Sequence, residues 1–148
     1  MVGDLLLGTY EGIRLSGEGL VVPAEIRKAL QPGFVMTRGL DHCVAIFPRD
    51  RWKELSDRID HGTTFLREAA RMFQRHVYGG ASIGSLESDG LIEVPDHLRR
   101  YAELGDEVVL VGVATRLEIW NPQRWARQES GIEERAERFS EALSEYGI

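Results

Sequence analysis

The chain has 148 residues, 43% of them apolar, with 18 Lys+Arg against 24 Asp+Glu and a formal net charge of −6. That length suits one or two compact domains, and the apolar share is ample for a core. No apolar run approaches the roughly 20 residues that span a bilayer, and the opening MVGDLLLGTYEG has neither a basic lead nor a long apolar stretch, so neither a membrane segment nor a signal peptide is expected.

In chain order, residues 5–10 and 12–15 read as opening strands, with Gly8 and Gly12 as bulge or turn points. Gly17 and Gly19 make a tight exposed turn before a strand at 20–22. Pro23 then opens AEIRKAL, a short helix with Ile26 and Leu30 four apart on one face. Pro32-Gly33 ends it, and FVMT at 34–37 leads through a turn to VAIF at 44–47, a hairpin. Pro48 and Asp50 start a helix over 49–59 whose inner stripe is Trp52, Leu55 and Ile59. Gly62-Thr63-Thr64 caps a second helix, in which Phe65, Ala69, Met72, Phe73 and Val77 form an apolar seam. After Gly79-Gly80 come a strand at 81–86, a turn at 87–90, a strand at 91–94 and a short helix at 95–101. A hairpin follows, from 108–113 to 116–120 around Ala114-Thr115. From Pro122 the chain turns helical. Between 129 and 146, Ile132, Ala136, Phe139, Leu143 and Tyr146 recur at helical spacing, a stripe that needs a docking surface: its own subunit first, with a neighbouring subunit or an external partner as the alternatives.

The same design occurs twice. LVVPAEIRK at 20–28 recurs as IEVPDHLRR at 92–100, and VAIFPRDRW at 44–52 recurs as LEIWNPQRW at 117–125, offsets of 72 and 73. Two units of one design present two equivalent surfaces. The expected division is a first repeat over 5–52, connecting helices over 53–78, a second repeat over 81–125 and an amphipathic C-terminal helix over 126–148. No low-complexity linker separates the copies, so they are expected to pack together. Trp52 and Trp125 fall at equivalent places and read as core anchors.

Charge is divided unevenly. Residues 1–78 hold 11 Lys+Arg against 10 Asp+Glu, and residues 79–148 hold 7 against 14. Nucleic-acid affinity draws on neutralised phosphates, so an acidic monomer argues mildly against it, although an oligomer can still present one basic face.

The segments GTYEGIRLSGEGLVVPAEIRKAL at 8–30, TRGLDHCVAIFP at 37–48, YGGA at 78–81 and VVLVGVATRLEIWNPQRW at 108–125 closely resemble the MraZ family. These bacterial regulators are named for the division and cell-wall gene cluster and carry two AbrB-type domains. The resemblance covers about residues 5–127. It implies an α+β fold, a tandem AbrB-like (swapped-hairpin) β-barrel pseudo-dimer with added helices. It also implies a sequence-specific repressor that binds double-stranded DNA and assembles head to tail into a closed homo-oligomeric ring. No cofactor, metal, membrane or small-molecule substrate is implied. The expected location is the cytoplasm, at the nucleoid where DNA binding is retained.

The family's Asp-x-x-x-Arg turn motif, which precedes the Leu-x-Ile-Pro strand, is degenerate in both copies. Counting back from Pro23 puts the acid at Leu15 and the arginine at Gly19; from Pro95 they fall on Glu87 and Leu91. Both arginines are missing and one acid survives, as Glu87. The basic residue often found in the first turn falls on Gly17. Arginine reads guanine by a bidentate fork worth about 1–3 kcal/mol per pair. Restoring it with Gly19→Arg and Leu91→Arg is therefore expected to strengthen DNA binding. The remaining candidate contacts are Arg14, Arg27, Lys28, Arg99 and Arg100. Of these, Arg27 and Arg99 match the arginine following each proline helix and are expected to tie helix to turn as well. Arg67, Arg71 and Arg75 form a basic stripe that reads as a solvated helix face.

Catalysis finds no support. His42-Cys43 has no second metal-type pair, and His61, His76 and His97 lack ligand spacing. Gly17 and Gly19 are not followed by the rest of a phosphate loop. The lone Cys43 excludes an intrachain disulfide and fits a reducing compartment. Two readings stand: a DNA-binding regulator with weakened or altered contacts, and a ring-forming scaffold that has lost DNA and binds protein.

Overall fold

The computed structural model describes residues 5–62 and 64–147. Its strands are β1 (Leu6–Arg14), β2 (Leu20–Val21), β3 (Phe34–Arg38), β4 (Val44–Pro48), β5 (Ser82–Gly84), β6 (Leu91–Ile92), β7 (Glu107–Ala114) and β8 (Leu117–Trp120). The helices are α1 (Arg49–Gly62), α2 (Glu68–Gly79), α3 (Asp96–Tyr101) and α4 (Pro122–Ala142). The fold is α+β. Where the first proline-led helix was expected, two 3-10 turns run instead, Ala24–Ile26 and Lys28–Leu30. The strands expected at 20–22, 81–86 and 91–94 form over less of the chain, as Leu20–Val21, Ser82–Gly84 and Leu91–Ile92.

The copies exchange strands. A six-stranded antiparallel sheet runs β1-β7-β8-β4-β3-β5, so each copy's first strand pairs with the third strand of the other. Thus β1 pairs with β7, Leu6 opposite Ala114 and Tyr10 opposite Leu110, with a bulge between Tyr10 and Ile13 at Gly12. Likewise β5 pairs with β3, Val35 opposite Ile83. At the centre β4 meets β8, Val44 opposite Ile119 and Ile46 opposite Leu117. A separate two-stranded ribbon joins β2 to β6.

Alternation along β7 divides the core. Val108 and Leu110 face a main core with Leu6, Leu20, Leu30, Ile92 and Leu98. Val109 and Val111 face the other way, onto Cys43, Trp120 and Trp125. Trp125 lies in the first turns of α4, its ring 5.5 Å from Trp120. Asn121 caps that helix, its Oδ1 accepting from the N–H groups of Gln123 (2.9 Å) and Arg124 (3.1 Å), with Pro122 at the first helical position. Trp52, the counterpart of Trp125, is only half-buried against Phe47 and Tyr78.

Two apolar stripes do not find the partners their spacing predicts. The second helix starts later than its expected cap, with Arg67 at the N-cap of α2, so Phe65 and Leu66 fall in the turn before it; within α2 only Val77 is buried, and Phe65, Leu66 and Met72 are more than half exposed. Thr63, part of the expected cap, lies outside the described residues; Thr64 Oγ1 accepts from the Leu66 N–H at 3.3 Å. In α4 only Trp125 is buried; Ile132 and Phe139 within it, Leu143 at its C-cap and Tyr146 in the 3-10 turn Ser144–Tyr146 are exposed, so the expected docking of this stripe on its own subunit does not occur. The helix runs about 1.5 Å per residue and outreaches the sheet it starts on.

Candidate nucleic-acid interface

The β2–β6 ribbon sets Leu20 opposite Ile92 and Val21 opposite Leu91. It thereby places two units side by side, each a turn, a short strand and a proline-led helical segment. The first turn closes between Ser16 and Gly19, whose backbones exchange bonds of 2.9 and 3.1 Å. The second closes one residue wider, the Glu87 N–H donating to Leu91 O at 3.0 Å and Gly90 N–H to Glu87 O at 2.9 Å. Asp89 Oδ1 accepts from the Leu91 N–H at 3.1 Å.

That difference decides what the first turn can carry. Leu15, at the family's acid position, points inward and is 4% exposed within the main core. Gly19, at the arginine position, has φ +132°, and an added Cβ would sit 1.9 Å from the Ile92 carbonyl oxygen. No side chain fits there without parting β2 from β6. The expected gain from Gly19→Arg is therefore corrected: this backbone cannot seat the residue. Glu87 is exposed and Leu91 half-buried, so the second turn retains room.

Arg27 and Arg99 form reciprocal clasps between the copies. Arg99 Nε donates to Val94 O at 2.8 Å and its Nη1 to Ser16 O at 2.8 Å, holding the first turn. Arg27 Nε donates to Val22 O at 2.7 Å. Its guanidinium lies over Gly90 (φ +89°), where an added Cβ would come within 2.5 Å of Cζ. Each arginine thus spans its own helical segment and the other copy's turn. Lys28 and Arg100, one residue further on, are exposed, and neither enters an ion pair among the described residues. Arg14 is exposed on β1, opposite Glu107. Lys28 and Arg100 are therefore matched cations on the two units, and Arg14 stands apart on the sheet. Beside the second turn, Glu18, Glu87, Glu93 and Asp96, with Arg99 among them, line a shallow groove whose net acidity disfavours phosphate.

Three of the four histidines are held by backbone carbonyls, and His42 stacks on Tyr101 at 5.2 Å. His76 Nε2 is 3.1 Å from Gly39 O, His97 Nε2 is 2.9 Å from Gly80 O, and His61 Nδ1 is 2.6 Å from Asp57 O. No cluster of three metal-type side chains occurs among the described residues. Burial, aided by nearby Glu118, pushes the Cys43 thiol well above its ordinary range. Among the described residues no helix is long and apolar enough to cross a membrane.

A sheet built by strand exchange, with two turn-and-helix units tied across a pseudo-two-fold, defines the class of tandem swapped-hairpin proteins. The family model described as "MraZ protein, putative antitoxin-like" matches residues 18–76 and again 77–145. The chain is 38% identical over 141 residues to the transcriptional regulator MraZ of Roseiflexus castenholzii, covering 95% of this chain and 98% of that protein. It is 35% identical over 144 residues to that of Halothermothrix orenii (97% and 100% covered) and 39% over 135 residues to that of Desulfitobacterium hafniense (90% and 94%). The chain belongs to the MraZ family.

Proposed function

We propose that this protein is a MraZ-type transcriptional regulator, a sequence-specific repressor that binds double-stranded DNA upstream of a division and cell-wall gene cluster. It works in the cytoplasm, on the nucleoid, as a closed head-to-tail ring, and it is a binding protein rather than a catalyst. The observation that carries this reading is the pairing of Lys28 with Arg100, exposed at equivalent positions of two units that the β2–β6 ribbon holds side by side. Each ring subunit offers that pair again, so modest phosphate contacts add across the assembly. Arg27 and Arg99 set the turns, and Arg14 adds a third exposed cation. Specificity is altered relative to the family's motif, because the first turn has no arginine for base readout.

A second reading is favoured by the acid-lined groove of Glu18, Glu87, Glu93 and Asp96 and by the closed space at Gly19. On that reading the ring is a scaffold for protein partners. Titrating the assembled protein with DNA from upstream of its own gene, at several salt concentrations, separates the two. The regulator gives a steep salt dependence and tighter binding to that DNA than to a shuffled duplex; equal, weak binding to both supports the scaffold.

A further inference from the structure

We infer that a cavity of about 430 Å³ on the outer face of the sheet binds a compact amphipathic monoanion, a carboxylate carried on an aromatic body. The cavity shares no lining residue with the turns of the nucleic-acid interface, and the inference stands independently of the DNA reading.

The sheet's own side chains leave the hollow. On the face away from the main core, Thr37 stands opposite Ala45 and Ala45 opposite Glu118, so neighbouring strands present two short side chains in a row. Gly39, just past the end of β3, adds none. Around this low floor rise Phe47 from β4, Leu55 from α1, and Phe73 and Val77 from α2. Apolar walls with a few polar groups, enclosing roughly 300–1,000 Å³, are the usual form of a small-molecule site. The floor draws on both copies, on β3 and β4 from the first and β8 from the second.

The charges around the rim select the head group. Arg51 pairs with Glu54 at 3.3 Å and Arg116 with Glu118 at 3.0 Å, and the other Glu118 oxygen accepts from Trp120 Nε1 at 3.1 Å. Arg38, Arg58 and Asp41 stand outside these pairs. Arg38 donates through Nη1 to His76 O at 3.3 Å and meets no acid. Arg58 has neither an ion pair nor a hydrogen bond among the described residues. The balance is one positive charge, carried on forked donors that match the two oxygens of a carboxylate. Phe47 and Phe73 give a flat ring two aromatic walls.

Isothermal titration of the full-length protein with β-naphthoate and with its neutral isostere β-naphthamide tests this. The wild type is expected to bind naphthoate at one saturable site per chain, about tenfold more tightly than the amide. Arg58 is exposed, so Arg58→Gln keeps the fold; it is expected to lose most of that difference, and Arg58→Lys to restore part of it. Arg135→Gln, an equal loss of charge on α4, is expected to leave both affinities unchanged. Leu55→Trp fills the hollow and is expected to abolish binding of both compounds. Absence of saturable naphthoate binding, equal affinity for acid and amide in the wild type, or equal losses in Arg58→Gln and Arg135→Gln overturns the site. So does undiminished binding in a folded Leu55→Trp protein, which puts the ligand elsewhere.

Discussion

The Arg99 guanidinium donates through Nη1 to the Ser16 carbonyl at 2.8 Å, across 83 positions of sequence. The bond fastens one copy's helix to the other copy's turn, and Arg27 answers it from the opposite side over Gly90. These two arginines look like candidate phosphate contacts in the sequence, yet much of their bonding capacity is spent inside the molecule.

Arg99→Lys keeps the charge but loses the Nε bond to Val94 and the forked approach to Ser16 and Gly17. Hydrogen bonds from charged groups contribute about 1.5–3 kcal/mol, and these are partly exposed, so a loss toward the lower figure is expected. Urea unfolding reads it as a lower midpoint at unchanged slope. An unmoved midpoint would show the clasp to be ornamental.

Lys28→Ala and Arg100→Ala are expected to behave in the opposite way. Both side chains are exposed, so thermal stability should hold. DNA affinity should fall, and the log–log salt slope should shrink by about 0.9 for each phosphate contact removed. Fluorescence anisotropy with labelled duplex measures both quantities. A wild-type slope in the double variant would place the DNA elsewhere.

The two vacant arginine positions are not equivalent. Gly19→Arg forces a Cβ into the Ile92 carbonyl and should destabilise the protein or prevent its folding. Leu91→Arg enters a half-buried site in the acid-lined groove and should raise DNA affinity by offsetting Glu87 and Glu93. If Gly19→Arg melts with the wild type, the ribbon parts more easily than its packing implies.

Cys43 is fully buried and its thiol is held neutral by burial, with Glu118 reinforcing the effect. A folded-state value raised above the unfolded one stabilises the native protein below about pH 8.5, the ordinary thiol range. That contribution is lost as pH rises further, because only the unfolded chain then releases the proton. The urea midpoint should therefore decline between pH 8 and pH 10 less steeply in Cys43→Ala. Aromatic disulfide reagents should label Cys43 only on unfolding; prompt labelling of the native protein would mean that the second core opens.

Much of the fold is legible in the chain because hydrophobic spacing and turn residues act locally. The hairpin from Phe34 to Pro48 and the strand at Glu107–Ala114 stand where their apolar runs put them. Partnership is not local. Nothing in LLLGTY says that it pairs a hundred residues away with VVLVGV rather than with its own copy. Periodicity also reports a stripe without reporting its ends or what covers it, which is why Phe65 falls before α2 and Tyr146 after α4, and why most of both seams is bare. At the interface, the equal spacing of Arg27 and Arg99 from Pro23 and Pro95 carries the clasp, but only the strand exchange reveals that each grips the other copy.

The exchange also sets a timetable for synthesis. Leu6 waits for Ala114 and Arg14 for Glu107, so the longest strand leaves the ribosome with its mate still untranslated. At roughly 5–20 residues per second, the delay is on the order of 5–20 s. Meanwhile Phe34–Arg38 and Val44–Pro48, hairpin partners in the folded chain, are both already synthesised. Throughout that interval the nascent N-terminal strand is an open template, and whatever shields it has to let go when the last third of the chain arrives.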